Sequence, residues 1–243
     1  MDKKIKVSVI TVCYNSEKTI KRTIESVLNQ TYQNVEYIIV DGASTDGTLA
    51  IVDSYRAAFG DRLRVVSEPD TGIYNAMNKG IRMATGEIVG IVNSDDFYEP
   101  DAVERVVDNY DGEKYEVLYG IVRNFRGDKM LDALMYTHHN LGTKTILHPA
   151  VFVTKATYDD IALYDEKYPA VADYDFLLKM NENEAVKFLP IYYVLSNFSV
   201  EGVSSSIKAK KESIRMQKEH KIISPFVYFL KWINIYMNYY QYK

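Results

Sequence analysis

Asp95 and Asp96 follow directly on the apolar run 88–92, in the segment IVGIVNSDDFYEP. Two carboxylates at the end of a strand are suited to holding a divalent cation, Mn2+ or Mg2+, and through it a diphosphate. A vicinal acidic pair in a turn is ordinary surface when it stands alone. Here it is one of four polar segments, 11–15, 41–48, 68–78 and 93–96, that each follow a strand-like run. Ligands bind beyond the carboxyl ends of the strands in open parallel sheets, so the four segments predict a single site. Gly42 and Gly47 permit tight turns beside a ligand, Asp41 can accept hydrogen bonds from a base or sugar, and Thr11 and Tyr14 can flank a planar ring. Ser44, Thr45 and Asp46 read equally as an ordinary turn with a helix cap. His148, before Pro149, reads as a satisfied interior group or a ligand contact. His138 and His139 have no partners at a metal-like spacing.

The elements that must position these residues alternate regularly in the first hundred positions. A β-branched strand is expected at 6–12, and Ile20, Ile24, Val27 and Leu28 recur at helical spacing in a helix over 19–29 with Ser16 as its cap. A strand at 35–40 leads to a helix over 48–58 capped by Asp46. A short strand at 64–67 leads to a helix over 73–83, and 88–92 is the fourth strand. Three strand, turn and helix units in succession predict a three-layer α/β domain with a mostly parallel sheet. A helix to about residue 107 and a strand near 117–123 follow, and then the alternation becomes irregular.

Composition narrows the classes. With 243 residues, 47% hydrophobic and 26% charged, the chain can bury a substantial core. A single cysteine, Cys13, excludes an intrachain disulfide and a cysteine-rich metal site. The opening MDKKIKVSVITV reads as a first strand and not as a signal peptide. The formal charge of −4 is unevenly spread: residues 208–243 carry eight Lys or Arg against two Glu, which leaves −10 on the first 207 and argues against a nucleic-acid partner. The same tail holds Phe226, Tyr228, Phe229, Trp232, Tyr236, Tyr239, Tyr240 and Tyr242. A basic, aromatic-rich segment suits an anionic membrane surface or a homodimer contact, and Pro225, Lys231, Asn234 and Asn238 interrupt it too often for a bilayer span. The chain therefore divides into a domain over 1–207 and a C-terminal basic aromatic helical extension over 208–243.

Neither the three-glycine dinucleotide fingerprint nor a phosphate loop ending in Gly-Lys-Ser/Thr is present. The segments VSVITVCYNSEKTIKRTIESVLNQTY, VDGASTDGT, GIYNAMNKGIRMATGEIVGIVNSDDFYEP and VADYDFLLK, in that order, resemble the inverting family 2 glycosyltransferases of GT-A fold. Among them the pattern SEPDTGIYNAMNKG is similar to bacterial enzymes that build O-antigen, lipopolysaccharide, capsule or other exopolysaccharide repeats.

The resemblance implies a GT-A-like three-layer α/β/α sandwich and a metal-dependent hexosyltransferase. It would move a sugar from a nucleoside diphosphate sugar, by resemblance a UDP-sugar, to a saccharide hydroxyl on a polyprenyl diphosphate-linked glycan. It assigns Thr11, Tyr14 and Asp41 to the base and ribose, with Asn78 near the same end. Asp95 becomes the metal ligand, with Asn93 departing from the usual acidic pattern. Asp96 is left to bind the donor sugar, orient a ligand or hold the loop. Asp173 is the implied catalytic base, although Ala172 stands where the family places a preceding acid, and a plain helix cap is the alternative for Asp173. His148 is implied as an acceptor-side contact to sugar or phosphate. The implied location is cytoplasmic, peripheral on the inner face of the cell membrane. A nucleotidyltransferase and a noncatalytic carbohydrate-binding or scaffold protein are the rival readings, and a glycoside hydrolase could also use two carboxylates.

Overall fold

Every residue of β1 (Val7–Cys13) and β2 (Val35–Asp41) is buried, the signature of apolar strands covered on both faces. They pair in parallel, with α1 (Ile20–Leu28) between them in sequence. After α2 (Thr48–Ser54) and α3 (Arg56–Phe59), β3 (Leu63–Ser67) adds outside β2. After α4 (Ile73–Met83), β4 (Ile88–Ile91) adds on the other side of β1. The order β3-β2-β1-β4 reverses direction at β1, and this reversal opens a crevice at the strand ends.

Side-chain alternation splits the core into two layers. Val7, Val9, Tyr37 and Ile39 pack with Ile20 and Ile24 of α1 and Val52 of α2. Ile10, Val12, Ile38 and Val40 pack with Tyr74, Met77 and Ile81 of α4. Gly80 sets the closeness of the second contact, because a Cβ there would lie 2.5 Å from Cγ2 of Ile10. The expected helix over 48–58 is interrupted at Tyr55. Ser16 gives α1 no side-chain cap; its hydroxyl instead meets that of Ser94 at 2.8 Å. Asp46 does cap α2, accepting the Thr48 N–H at 3.0 Å.

The second half is mixed. Following β5 (Phe97–Tyr98) and α5 (Ala102–Asp108), β6 (Glu116–Arg126) and β7 (Lys129–Leu134) form a hairpin through Gly127, whose φ of 55° suits glycine. Then β8 (Val151–Thr154) enters antiparallel to both β4 and β6. With α6 (Lys155–Asp160), α7 (Ala172–Glu182) and β9 (Lys187–Ser199), the sheet reaches nine strands among the described residues. Parallel pairing is thus confined to β1–β4 and to β6 with β9. The three-layer α/β class expected from the first hundred residues is the one observed.

The computed structural model describes residues 5–200 and 207–241, so Tyr242 of the tail lies outside the described residues. The segment read as an extension divides in two. In α8 (Ile207–Glu219), Ala209, Ile214 and Met216 are buried, and Met216 joins the core layer that contains α7. By contrast α9 (Pro225–Gln241) keeps several large apolar side chains exposed. No helix among the described residues is long and apolar enough to cross a membrane.

At the end of the sheet away from the crevice, Glu36 fastens β1, β2 and the turn before β4. It accepts from Ser8, from the N–H groups of Thr85 and Gly86 and from the Thr85 hydroxyl, and it pairs with Lys6 at 2.8 Å. Burial alone would raise its pKa, but the hydrogen bonds from Lys6, Ser8 and Thr85 outweigh it and hold the carboxyl at about 2. A carboxyl lowered on folding stabilises above its unfolded pKa and loses that contribution as pH falls through the folded one. Glu36→Gln should therefore cost about 2 to 3 kcal/mol at pH 7, and the difference from the parent should vanish as pH drops from about 4.5 to about 2. Urea denaturation across that range measures it; a pH-independent difference would contradict the assignment.

Candidate active site

The strand-end loops are sewn to one another before any ligand is considered. Asn15, in the left-handed region at φ 48°, gives its N–H to Oγ of Ser44 (2.7 Å) and accepts the Thr45 N–H at Oδ1 (2.9 Å). Ser44 follows a second left-handed residue, Ala43 at φ 62°. The Ser16 N–H reaches Oγ1 of Thr48, and the Gly47 N–H reaches Oε2 of Glu17. Non-glycine residues rarely hold such backbone angles unless their surroundings fix them, and these hydrogen bonds do so.

Beyond these loops lies a cavity of about 900 Å³ bounded by the ends of β1 and β4, the start of α4, residues 145–149 and the start of α7. Four of the eight sequence-derived site residues line it: Tyr14, Asp95, His148 and Asp173. Tyr14 is 64% exposed at its rim. Burial raises the pKa of Asp95, against the lowering pull of Arg22, whose guanidinium donates to the Asp95 carbonyl at 3.1 Å.

The other four lie behind the lining. Thr11 is fully buried and accepts from the Tyr37 hydroxyl at 2.9 Å. Asp41, also fully buried, accepts from the Ser44 N–H and hydroxyl, the Ser67 hydroxyl and the Cys13 thiol, and so fixes the turn that follows β2. Asn78 donates to the Tyr164 carbonyl and to Glu166, both at 2.9 Å, and accepts the Tyr164 N–H at 3.1 Å. Asp96 turns inward, where Oδ1 accepts the Ser199 N–H of β9 at 2.9 Å. Burial first, and the neighbouring Asp95 charge second, push its carboxyl well above the usual range. Of the roles open to Asp96, the one with contacts in the fold is holding the loop.

Asp173 sits in the first turn of α7 without a side-chain cap on that helix. Its Oδ1 accepts a 2.7 Å hydrogen bond from the Tyr74 hydroxyl. Tyr74 is buried in the cavity wall, and burial followed by the Asp173 charge drives its pKa well up, so it remains a donor. Tyr74 falls within the polar segment 68–78, but its residue type alone does not single it out. The signal is its place two residues after Gly72, in the first turn of the helix that follows a strand end.

Two wall atoms have no protein partner among the described residues, Asn93 Oδ1 and His148 Nε2. Asn93 directs its amide toward Asp96, which leaves the carbonyl oxygen over. Burial lowers the pKa of His148, with the Asp173 charge acting the other way, so the imidazole is neutral near pH 7. No group of three His, Cys, Asp or Glu is poised for a metal among the described residues. Asp95 with Asn93 Oδ1 nevertheless fits a hard cation that takes one or two protein oxygens and completes its shell from water and substrate phosphate, the usual habit of Mg2+.

A family model described as glycosyl transferase family 2 matches residues 8–174. A PGL/p-HBAD biosynthesis glycosyltransferase of Mycobacterium tuberculosis is 30% identical, over 86% of this chain and 82% of that protein. Chondroitin synthase of Escherichia coli is 31% identical over 90% of this chain, which spans 32% of the larger protein. Among solved structures, S. aureus TarS 1-349 in complex with UDP superposes with a TM-score of 0.70 at 22% identity, covering 91% of this chain and 67% of that one. The mannosyltransferase PcManGT of Pyrobaculum calidifontis, in complex with GDP-Man and Mn2+, gives 0.65 at 20%, covering 90% and 64%. These two structural matches establish likeness of fold.

The buried Asn78 pins the segment before α7 to α4, and truncating it strands two backbone groups of Tyr164. Asn78→Ala should destabilise the protein by about 2 to 4 kcal/mol. Denaturant titration checks this; a change under about 0.5 kcal/mol, as for an ordinary surface site, would show that the pin carries no energy.

Proposed function

The chain belongs to glycosyl transferase family 2, and on that premise we propose that it is an inverting enzyme that moves a sugar from a UDP-sugar to a saccharide hydroxyl. The observation that carries the proposal is the placement of Asp95 and Asp173 on one cavity, with Asp173 held by Tyr74. Asp95 and Asn93 Oδ1 would hold Mn2+ or Mg2+, which when bound neutralises the departing diphosphate.

The chain's own groups account for the remaining chemistry. Asp173 takes the proton of the acceptor hydroxyl as that oxygen attacks the anomeric carbon. The bond from this carbon to the diphosphate oxygen breaks on the opposite face, and its electron pair leaves with the nucleoside diphosphate. A single displacement inverts the anomeric centre, so an α-linked donor gives a β linkage. The Tyr74 hydroxyl fixes the rotamer of Asp173, which places the accepting oxygen before the acceptor arrives. His148, neutral and with Nε2 without a protein partner, offers a hydrogen bond to the sugar or phosphate on the same side.

Asp41 and Thr11 shape the nucleotide end from behind. Asp41 holds the turn that carries Ser44 against Asn15, and Tyr14 offers its ring at the rim. UDP is the carrier proposed, as in the TarS complex, and the PcManGT complex with GDP-Man makes GDP the comparison to run beside it. The acceptor proposed is a glycan on a polyprenyl diphosphate, met by a protein peripheral on the inner face of the cell membrane. Support comes from the basic, aromatic C-terminal segment.

Calorimetric titration with UDP, GDP and dTDP, each with and without Mn2+, tests the donor site. One nucleotide should bind in a metal-dependent way, and Asp95→Ala should weaken it at least tenfold; no binding to any of the three would overturn the assignment. With the donor identified, Asp173→Asn should lower kcat by about 10² to 10⁴ while nucleotide affinity stays within about twofold. Tyr74→Phe should lower kcat by about 10- to 100-fold with a smaller change in KM. Unchanged turnover in Tyr74→Phe would remove the positioning role.

A further inference from the structure

The last two helices pair a basic row with an exposed apolar row. On α8, Lys208, Lys211, Arg215 and Lys218 recur at spacings of three and four, away from the side that buries Ala209, Met216 and Gln217; buried Ile214 borders the row, and Arg215 pairs with Glu219 at 2.9 Å. On α9, Phe226, Leu230, Ile233 and Met237 recur at four, three and four, and they are 69%, 48%, 38% and 57% exposed. Phe229 and Trp232 flank that row, also exposed. The contacts from α9 to α8 come from its other side, where Lys231 donates to Gln217 at 2.9 Å and Tyr228 lies 4.6 Å beneath the Lys218 ammonium. Residues 225–241 contain no Asp or Glu.

We propose that this helix pair is a docking surface for an anionic lipid bilayer, with the α9 row inserted at the headgroup boundary and the α8 row against the lipid charge. A helix of 17 residues that is apolar on one side, lacks acidic groups and lies beside a basic row has the chemistry of an interfacial helix, not of a span. A second copy is the weaker occupant. A two-fold contact through α9 would bring two basic α8 helices toward each other, at a cost in like-charge repulsion.

The docking surface is tied to the cavity through α8. Oε1 of Glu212 accepts the N–H groups of Ala170 and Val171 at 2.8 and 3.1 Å, just before the turn that carries Asp173. Nε2 of His220 meets Oδ1 of Asp175 at 2.8 Å, and Tyr168 bonds Glu219. Seating α9 on a bilayer therefore fixes the acceptor side of the cavity relative to the membrane plane. This consequence rests on the transferase reading, whereas the lipid contact does not.

Because α8 belongs to the core, the test uses the full chain with substitutions on exposed positions. Vesicles of phosphatidylcholine alone, and of phosphatidylcholine with phosphatidylglycerol in equal parts, are co-sedimented with the parent, with a Phe226→Ser, Leu230→Ser, Met237→Ser triple variant and with a Lys208→Gln, Lys211→Gln double variant. The parent should favour the anionic vesicles at least tenfold, and each variant should lose at least tenfold of that binding, with UDP affinity in solution unchanged. Equal partition of the parent and the apolar variant would overturn the proposal. So would a parent that ignores vesicles but sediments as a dimer that the apolar variant dissolves. Vesicle binding without any nucleotide binding would leave the lipid surface standing and defeat the transferase reading alone.

Discussion

Within the continuous sheet, one turn of α4 ties residues 164–173 of the second half to the parallel strands. Tyr74 and Asn78 are four residues apart, so they lie on one side of that helix, Tyr74 in the cavity wall and Asn78 behind it. Tyr74 bonds Asp173, while Asn78 makes three hydrogen bonds to the backbone of Tyr164 and to Glu166. The same helix is pressed against β1 and β2 through Gly80. A carboxylate nearly a hundred residues downstream is thereby registered against the parallel strands. The rings of Tyr74, Tyr164, Tyr158 and Phe176 pack against one another beside this bridge with centroids 5.1 to 6.0 Å apart, Tyr158 on Phe176 stacked and the other pairs tilted or edge-to-face.

This arrangement separates two tasks that acidic residues perform. Asp41 and Asp96 are fully buried and spend their oxygens on loop geometry. Asp95 and Asp173 border open space and keep oxygens for a ligand. Burying a carboxylate is expensive unless hydrogen bonds replace water, and the two buried acids differ in how fully this happens. Asp41 has donors on both oxygens, whereas Oδ2 of Asp96 has no hydrogen-bond partner among the described residues and its pKa is driven well up. The Asp95 charge next door is the second cause of that rise, so the two neighbouring carboxyls are coupled.

Much of the parallel half was legible because its physics is local. Runs such as VSVIT and VEYIIV alternate between two covered faces, and the polar residues after each run fall at the strand ends by geometry alone. The same rule located Tyr14, Asp95 and the segment holding Tyr74. Depth was not legible: Thr11, Asp41, Asn78 and Asp96 sit at the right end of the sheet but behind the lining, because which side chains face the cavity depends on bonds to distant residues such as Tyr37, Ser67, Tyr164 and Ser199. The mixed half was opaque for the same reason. Strand β8 has four residues and an apolar pattern that suits either direction, and its antiparallel entry is set by neighbours that arrive from residues 88–91 and 116–126.

The tail shows how a composition argument can find a chemistry and miss a connection. Its surplus of Lys, Arg and aromatic residues is visible in the sequence, but nothing there indicates that Glu212 caps the backbone ahead of α7 or that Met216 enters its core. A segment that only touched a surface could be lost without consequence for the cavity. A segment that satisfies two N–H groups at Ala170 and Val171 cannot, because removing it leaves orphan donors beside the turn that carries Asp173 and frees that turn to relax. The wall that carries Asp173 is therefore held from two sides, by α4 through Tyr74 and by α8 through Glu212. Whatever α9 rests upon is coupled to the position of Asp173 through a short chain of hydrogen bonds and packed side chains.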